Sequence, residues 1–246
     1  MNLIICPVRN GLAMTQAALG TFLSQDIGDI LVSFIDNGSV DGTTQWIWSQ
    51  PQEQVISTYH NPPLSVSESW NSVLNHVFVS EPVPLDYALV VNNDVLLRPD
   101  TYRLLVEDGG EFVTAVGVND PKQIQGEPNP SSKRKHPDFS CFVIRKSCWD
   151  KVGPFNEEYK GAYLEDCEYH VRMHRRGVRA CCIDVPYYHR GSGTLEIAGP
   201  KEEERINKLS DENRQRFLEK FGCNPGTAQY GELFKEDNFG SDPLEV

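Results

Sequence analysis

The sequence predicts one α/β domain with a mainly parallel central sheet covered by helices on both faces. Three observations carry that reading. Short apolar runs alternate with segments of helical period over the first 91 residues, and such alternation builds parallel sheets. The runs end in polar turns, RNG at 9–11, DNGS at 36–39 and NND at 92–94, where breaker residues punctuate the chain. The length of 246 residues, 39% hydrophobic and 24% charged, suits one large domain or two small ones sharing a core.

Residues 3–8 (LIICPV) are the first strand, broken by Arg9-Asn10-Gly11. Leu12, Thr15, Leu19, Phe22 and Leu23 recur at helical spacing and predict a helix over 12–24. Residues 30–35 read as a second buried strand, and Asp41-Gly42-Thr43 opens a helix containing Trp46 and Ile47. A strand at 55–59 and a helix at 67–79 follow, and the strand at 86–91 delivers NND to its carboxyl edge. Residues 127–138 (EPNPSSKRKHPD) are rich in breakers and predict a loop. That loop concentrates Lys133, Arg134, Lys135 and His136, either as a solvated face or as part of an anionic ligand or acceptor site. Residues 139–144 resume as a strand. Leu164, Cys167, Val171 and His174 share a helical face that Gly177 stops. Over 200–220 charge dominates, with Ile206, Leu209, Phe217 and Leu218 as sparse anchors. The expected division is a core over 1–199 and a helical extension and tail over 200–246 packed on it. No internal repeat interrupts this order.

Composition excludes some functions. A net charge of −12, from 23 basic and 35 acidic residues, argues against a nucleic-acid or anionic-membrane binder, which needs a basic face. It leaves room for a small anionic ligand in a locally cationic cleft. Seven dispersed cysteines without a C-x-x-C pair read as reduced, buried thiols of a cytosolic protein. The start, MNLIICPVRN, lacks the pattern of a signal peptide, and no segment reaches the roughly 18–20 apolar residues of a membrane span. The expected location is the cytoplasm, free or peripheral at the inner face of a membrane.

Ligands of parallel sheets gather beyond the carboxyl ends of the strands, and Asn10, Asp36 and Asp94 all fall there. Each alone reads equally well as a turn or helix cap. No G-x-G-x-x-G follows the first strand, which instead gives PVRNGLAM, so a dinucleotide-binding oxidoreductase is disfavoured. The order of motifs is more specific. PVRN at 7–10, DNGSVDGT at 36–43, NND at 92–94, EDCEYHVRMHRRG at 165–177, YYHRGSGT at 187–194 and FLEKFGCNPG at 217–226 together resemble the inverting, nucleotide-sugar-dependent glycosyltransferases of family 2. The last motif is similar to a rhamnosyltransferase-like branch, and the resemblance covers about 220 residues.

The resemblance implies a GT-A fold, a single Rossmann-like nucleotide-diphospho-sugar transferase domain. It implies a metal-dependent, inverting hexosyl- or deoxyhexosyltransferase of polysaccharide biosynthesis. The donor would be UDP-, dTDP- or GDP-linked, and the acceptor a hydroxyl of a glycan or lipid-linked glycan. A nucleoside diphosphate leaves with charge on oxygen, which a divalent cation stabilises; Mn2+ or Mg2+ takes oxygen ligands. By resemblance Asp94 is the main metal ligand and His189 completes the shell. Asp36 recognises the base, with Asn37 and Asp41 nearby, and Pro7, Val8, Arg9 and Asn10 enclose base and ribose. Asn92 and Asn93 contact the nucleotide sugar, and Arg190 neutralises phosphate. NND departs from the Asp-x-Asp form. Trp70 stands before Asn71 where relatives carry a basic residue, which implies packing in place of a charge contact. Asp166 is the implied general base, and Glu165 orients the acceptor. A nucleotidyltransferase and a non-catalytic carbohydrate-binding protein remain as alternatives.

Overall fold

A computed structural model describes residues 1–80, 85–134, 136–191 and 199–241 of the chain, the side chain of Lys201 excepted. The first half alternates as the sequence predicts: β1 (Asn2–Val8), α1 (Leu12–Phe22), β2 (Ile30–Asp36), α2 (Thr43–Trp48), β3 (Val55–Tyr59), α3 (Val66–Asn75) and β4 (Tyr87–Val91). β1 pairs in parallel with β2, from Asn2 opposite Ile30 to Val8 opposite Asp36, and with β4, while β2 pairs in parallel with β3. The carboxyl ends of β1, β2 and β4 therefore share one edge. Successive side chains of a strand face opposite ways. Ile4, Cys6 and Val8 join Val32, Phe34, Leu89 and Val91 in one core layer, and Leu3 and Ile5 join Ile35, Trp70, Ala88 and Val90 in the other. Burial at about 1.5–3 kcal/mol per large apolar side chain fixes this register, because a one-residue slip exchanges the two layers.

The second half adds β5 (Val95–Leu96), α4 (Thr101–Glu107), β6 (Phe112–Val118), β7 (Asn129–Arg134), β8 (Cys141–Arg145), α5 (Lys146–Val152), α6 (Glu165–Arg175), β9 (Ala180–His189), α7 (Pro200–Phe221) and α8 (Ala228–Glu232). The sheet order is β3-β2-β1-β4-β8-β6-β9-β5, with β7 also on β9. The result is a mixed α/β fold with a mostly parallel sheet. β8 runs antiparallel to β4, Cys141 opposite Val91, so β8 begins at the edge where β4 ends. That inversion brings the segment before β8 to the site.

Two expectations need correction or refinement. The breaker-rich 127–138 segment is not all loop, because Asn129–Arg134 pairs antiparallel with β9. Its Asn-Pro-Ser-Ser composition carries no strand signal, and the partner strand imposes the conformation. Lys135 lies outside the described residues, as do residues 192–194 of the HRGSGT motif and the end of the tail from 242. The charged 200–220 segment is a helix as expected, α7, anchored by Phe217 in a third cluster with Tyr159 and Val171. All seven cysteines are free, five of them buried. Among the described residues no helix is long and apolar enough to cross a membrane.

Candidate active site

The loops after β1 and β2 are stitched together by their polar side chains. Asn10 and Gly11 adopt left-handed backbone, φ 58 and 82, a conformation that asparagine and glycine tolerate. The Asn10 N–H donates to Ser39 Oγ at 2.7 Å, and its Oδ1 accepts from the Val40 N–H at 2.8 Å. Asp41 Oδ2 accepts from the N–H groups of Gly11 (2.7 Å) and Leu12 (3.1 Å), while Oδ1 accepts from the Thr43 N–H and hydroxyl. Burial works to raise the Asp41 pKa, but these hydrogen bonds together hold it below the usual carboxylate range. Asp36, 2% exposed, accepts from the Ser39 N–H and the Thr44 hydroxyl. Asn93 Nδ2 donates to the Asn10 carbonyl and Thr15 Oγ1, tying the NND turn to the same loops.

Beyond these turns lies a cleft of about 800 Å³, within the range of small-molecule sites. Of the residues singled out by sequence, Pro7, Val8, Arg9, Asn37, Trp70, Asn92, Asn93, Asp94, Glu165, Asp166 and His189 border it. Asn10, Asp36, Asp41, Asn71 and Arg190 do not. Asn10, Asp36 and Asp41 are spent on the loops just described. Asn71 exchanges hydrogen bonds with the Phe155 backbone in both directions and donates to Glu157. The exposed Arg190 donates its backbone N–H to the Asp94 carbonyl at 3.0 Å. Trp70 is packed edge-on against Phe142 and Phe155, and its indole N–H has no partner among the described residues.

The short pairing of β5 with β9 sets Val95 opposite His189, and His189 Nε2 lies 3.4 Å from Asp94 Oδ1. Burial pulls the imidazole pKa down, yet the hydrogen bond and charge of Asp94, with Asp138 adding to them, outweigh it and raise the pKa. Among the described residues no three His, Cys, Asp or Glu side chains converge as a metal cage. One carboxylate and one imidazole in a cleft suit a divalent cation whose remaining positions are filled by ligand oxygens and water. The nitrogen donor favours Mn2+ over the harder Mg2+.

At the start of α6 lies the acid pair. Glu165 is 6% exposed and its Oε2 has no hydrogen-bond partner among the described residues. Burial, reinforced by the charge of Asp166, pushes its pKa up to about 8. Burial also raises Asp166, against the hydrogen bond its Oδ1 accepts from the Cys167 N–H at 2.7 Å. The turn before the pair is strained: Tyr163 and Leu164 have φ 78 and 73, which costs a non-glycine residue about 1–2 kcal/mol.

Sequence reasoning missed several lining residues. Asp138 borders the cleft, and its carboxylate accepts from the Ser140 N–H at 2.9 Å. Gly117 leaves room for it, since a Cβ there would lie 2.7 Å from Asp138 Oδ2 and one of the two would have to shift. Its one signal was a carboxylate just before a strand, which points to the site only once β8 is known to run backwards. Tyr163 was also missed, and so were Glu202, Arg205 and Ile206 of α7. Glu202 pairs with Arg9 at 2.8 Å and with Arg205 at 2.7 Å, so the extension forms part of the cleft wall. In the basic segment Lys133 is engaged by Asp108 at 2.6 Å. Arg134 borders a smaller cavity of about 540 Å³ that shares Asp138 and His189 with the cleft.

No protein-family model matches the chain, and no curated protein matches it. Solved structures do. S. aureus TarS aligns over 97% of this chain at 15% identity, TM-score 0.59, and this chain spans 50% of its length. The mannosyltransferase PcManGT from Pyrobaculum calidifontis, in complex with GDP-Man and Mn2+, aligns over 94% of this chain and 77% of its own, at 14% identity and TM-score 0.58. GalNAc-T7 with UDP, GalNAc and Mn2+ aligns over 97% of this chain and 55% of its own, at 10% identity and TM-score 0.60. At these identities the likeness is one of fold alone, and the fold is GT-A.

Proposed function

We propose that the protein is a metal-dependent, inverting glycosyltransferase that moves a hexosyl or deoxyhexosyl group from a nucleoside-diphosphate donor to a hydroxyl of a glycan or lipid-linked glycan. One observation carries the reading. A single cleft at the carboxyl edge of β1 and β4 is bordered by both the Asp94–His189 pair and the Glu165–Asp166 pair. The first pair suits a cation-bound diphosphate, and the second a proton acceptor. TarS has been solved with UDP-GlcNAc, and PcManGT with GDP-Man and Mn2+, which supports the same ligand class here.

Asp94 and His189 would hold Mn2+ or Mg2+, which supplies charge neutralisation for the leaving diphosphate. Arg9 adds a cation at the cleft wall. Pro7, Val8, Asn37 and Asn92 border the nucleotide end, while Asn10, Asp36 and Asp41 act by holding its loops. Glu165, with a pKa near 8, keeps its proton at neutral pH and can donate a hydrogen bond to an acceptor oxygen. Asp166 has a backbone N–H favouring its anion, so it is the member able to take the hydroxyl proton as that oxygen attacks the anomeric carbon. Attack opposite the leaving group inverts the configuration. Calorimetric titration with UDP and GDP tests the donor half. Binding should require Mn2+ or Mg2+, and Asp94→Ala should weaken it at least tenfold, about 1.4 kcal/mol. Equal affinity in metal-free wild type would remove the cation from the account.

A further inference from the structure

α7 does more than cover the core. Asn213, at its middle, is 1% exposed and faces the turn that leads into α6. Its Nδ2 lies 2.9 Å from the Lys160 carbonyl oxygen, 3.2 Å from that of Ala162 and 3.1 Å from that of Tyr163. Its Oδ1 accepts from the Lys160 N–H at 3.2 Å. One side-chain amide thus satisfies both the donor and the acceptors of a single turn. A side-chain amide carries two N–H donors and a carbonyl acceptor together.

The turn it grips is the strained one. Gly161 has φ 72, followed by Tyr163 and Leu164 in left-handed backbone, and Glu165 begins α6 immediately after. Strain of this kind persists where the surroundings over-determine the conformation. Asn213 is assisted by the Val66 N–H, which donates to the Gly161 carbonyl at 2.9 Å. Leu209 of α7 packs on Gly161, its Cδ1 3.0 Å from where a Cβ would stand. One turn further along α7, Phe217 packs with Val171 of α6, and Lys220 pairs with the buried Glu168 of α6 at 2.8 Å. The helix therefore holds both the turn and the helix that carry the acids.

We propose that Asn213 is a positioning residue for the acid pair, fixing the 160–164 turn so that Glu165 and Asp166 meet the acceptor hydroxyl in a productive orientation. The role rests on the reading of Asp166 as the base. A misplacement near 1 Å can cost about a hundredfold in rate, whereas the nucleotide end, built on the loops after β1, β2 and β4, does not touch Asn213.

The experiment compares wild type with Asn213→Ala and with Asn213→Asp, which keeps the size but removes the donors. Active sites are counted by UDP titration with Mn2+. Turnover is followed with the nucleotide sugar that wild type accepts among UDP-, dTDP- and GDP-linked sugars. Hydrogen–deuterium exchange reports the 159–166 segment. Both variants should bind UDP within about twofold of wild type, show faster exchange in that segment but not in β1 or β2, and lose about a hundredfold in kcat. Unchanged exchange, or faster exchange with wild-type kcat, overturns the proposal. Loss of UDP binding together with turnover, or failure to fold, assigns Asn213 to fold maintenance and overturns it too. Absence of UDP binding and sugar turnover in wild type would instead defeat the glycosyltransferase reading, while the exchange data would still test the clamp.

Discussion

Glu165 and Asp166 are adjacent in sequence and differ in what surrounds them. Glu165 has a buried oxygen without a partner among the described residues and a pKa near 8, while Asp166 accepts a backbone hydrogen bond. The consequence for stability has a definite sign. Below the ordinary glutamate pKa of about 4.3, folded and unfolded chains both hold the Glu165 proton and folding carries no penalty. As pH rises towards 8 the unfolded chain ionises first, so stability falls through that window and the penalty is complete above it. Glu165→Gln should therefore raise the melting temperature at pH 8.5 and change it little near pH 4. Parallel pH profiles of thermal unfolding for the two proteins would contradict this. Asp166→Asn preserves shape and removes the proton acceptor. Single-turnover transfer should fall by roughly 10²–10⁴-fold with donor affinity retained, and near-normal chemistry would reject Asp166 as the base.

At the scale of elements, the strands and helices of the first half were legible because each carries its own periodicity and ends in a breaker. β1, β2, β3 and β4 are found where their apolar runs stand. β7 was not legible, since its residues have no strand character and only the edge of β9 makes them one. The site followed the same division. Asp94, Asp166 and His189 lie in ordered motifs, whereas Asp138 borders the cleft and Asn213 meets the turn before α6 only through the tertiary fold, which no local pattern encodes. Asp41 shows how a motif residue can reach the site at one remove. Its carboxylate caps the start of α1 from the neighbouring loop. Asp41→Ala should cost about 1–2 kcal/mol of stability, seen as a lower urea midpoint. A large loss of donor affinity with unchanged stability would instead make Asp41 a direct ligand contact.

For the whole molecule, the proposed function asks a chain of net charge −12 to receive a donor that is itself anionic. The cleft meets that demand locally, with Arg9 and Arg205 on Glu202 at one wall and the Asp94–His189 pair suited to a cation. α7 belongs to this arrangement from end to end, its first turns bordering the cleft and its middle gripping the turn before the acids. Sugar transfer with inversion is read from the stereochemistry of the product. Purified protein with Mn2+ is incubated with UDP-, dTDP- and GDP-linked sugars and a panel of glycan acceptors, and the anomeric proton of any product is read by NMR. The expected products are a nucleoside diphosphate and a glycoside of configuration opposite to the donor's. Retained configuration, or release of pyrophosphate from a nucleoside triphosphate in its place, would contradict it.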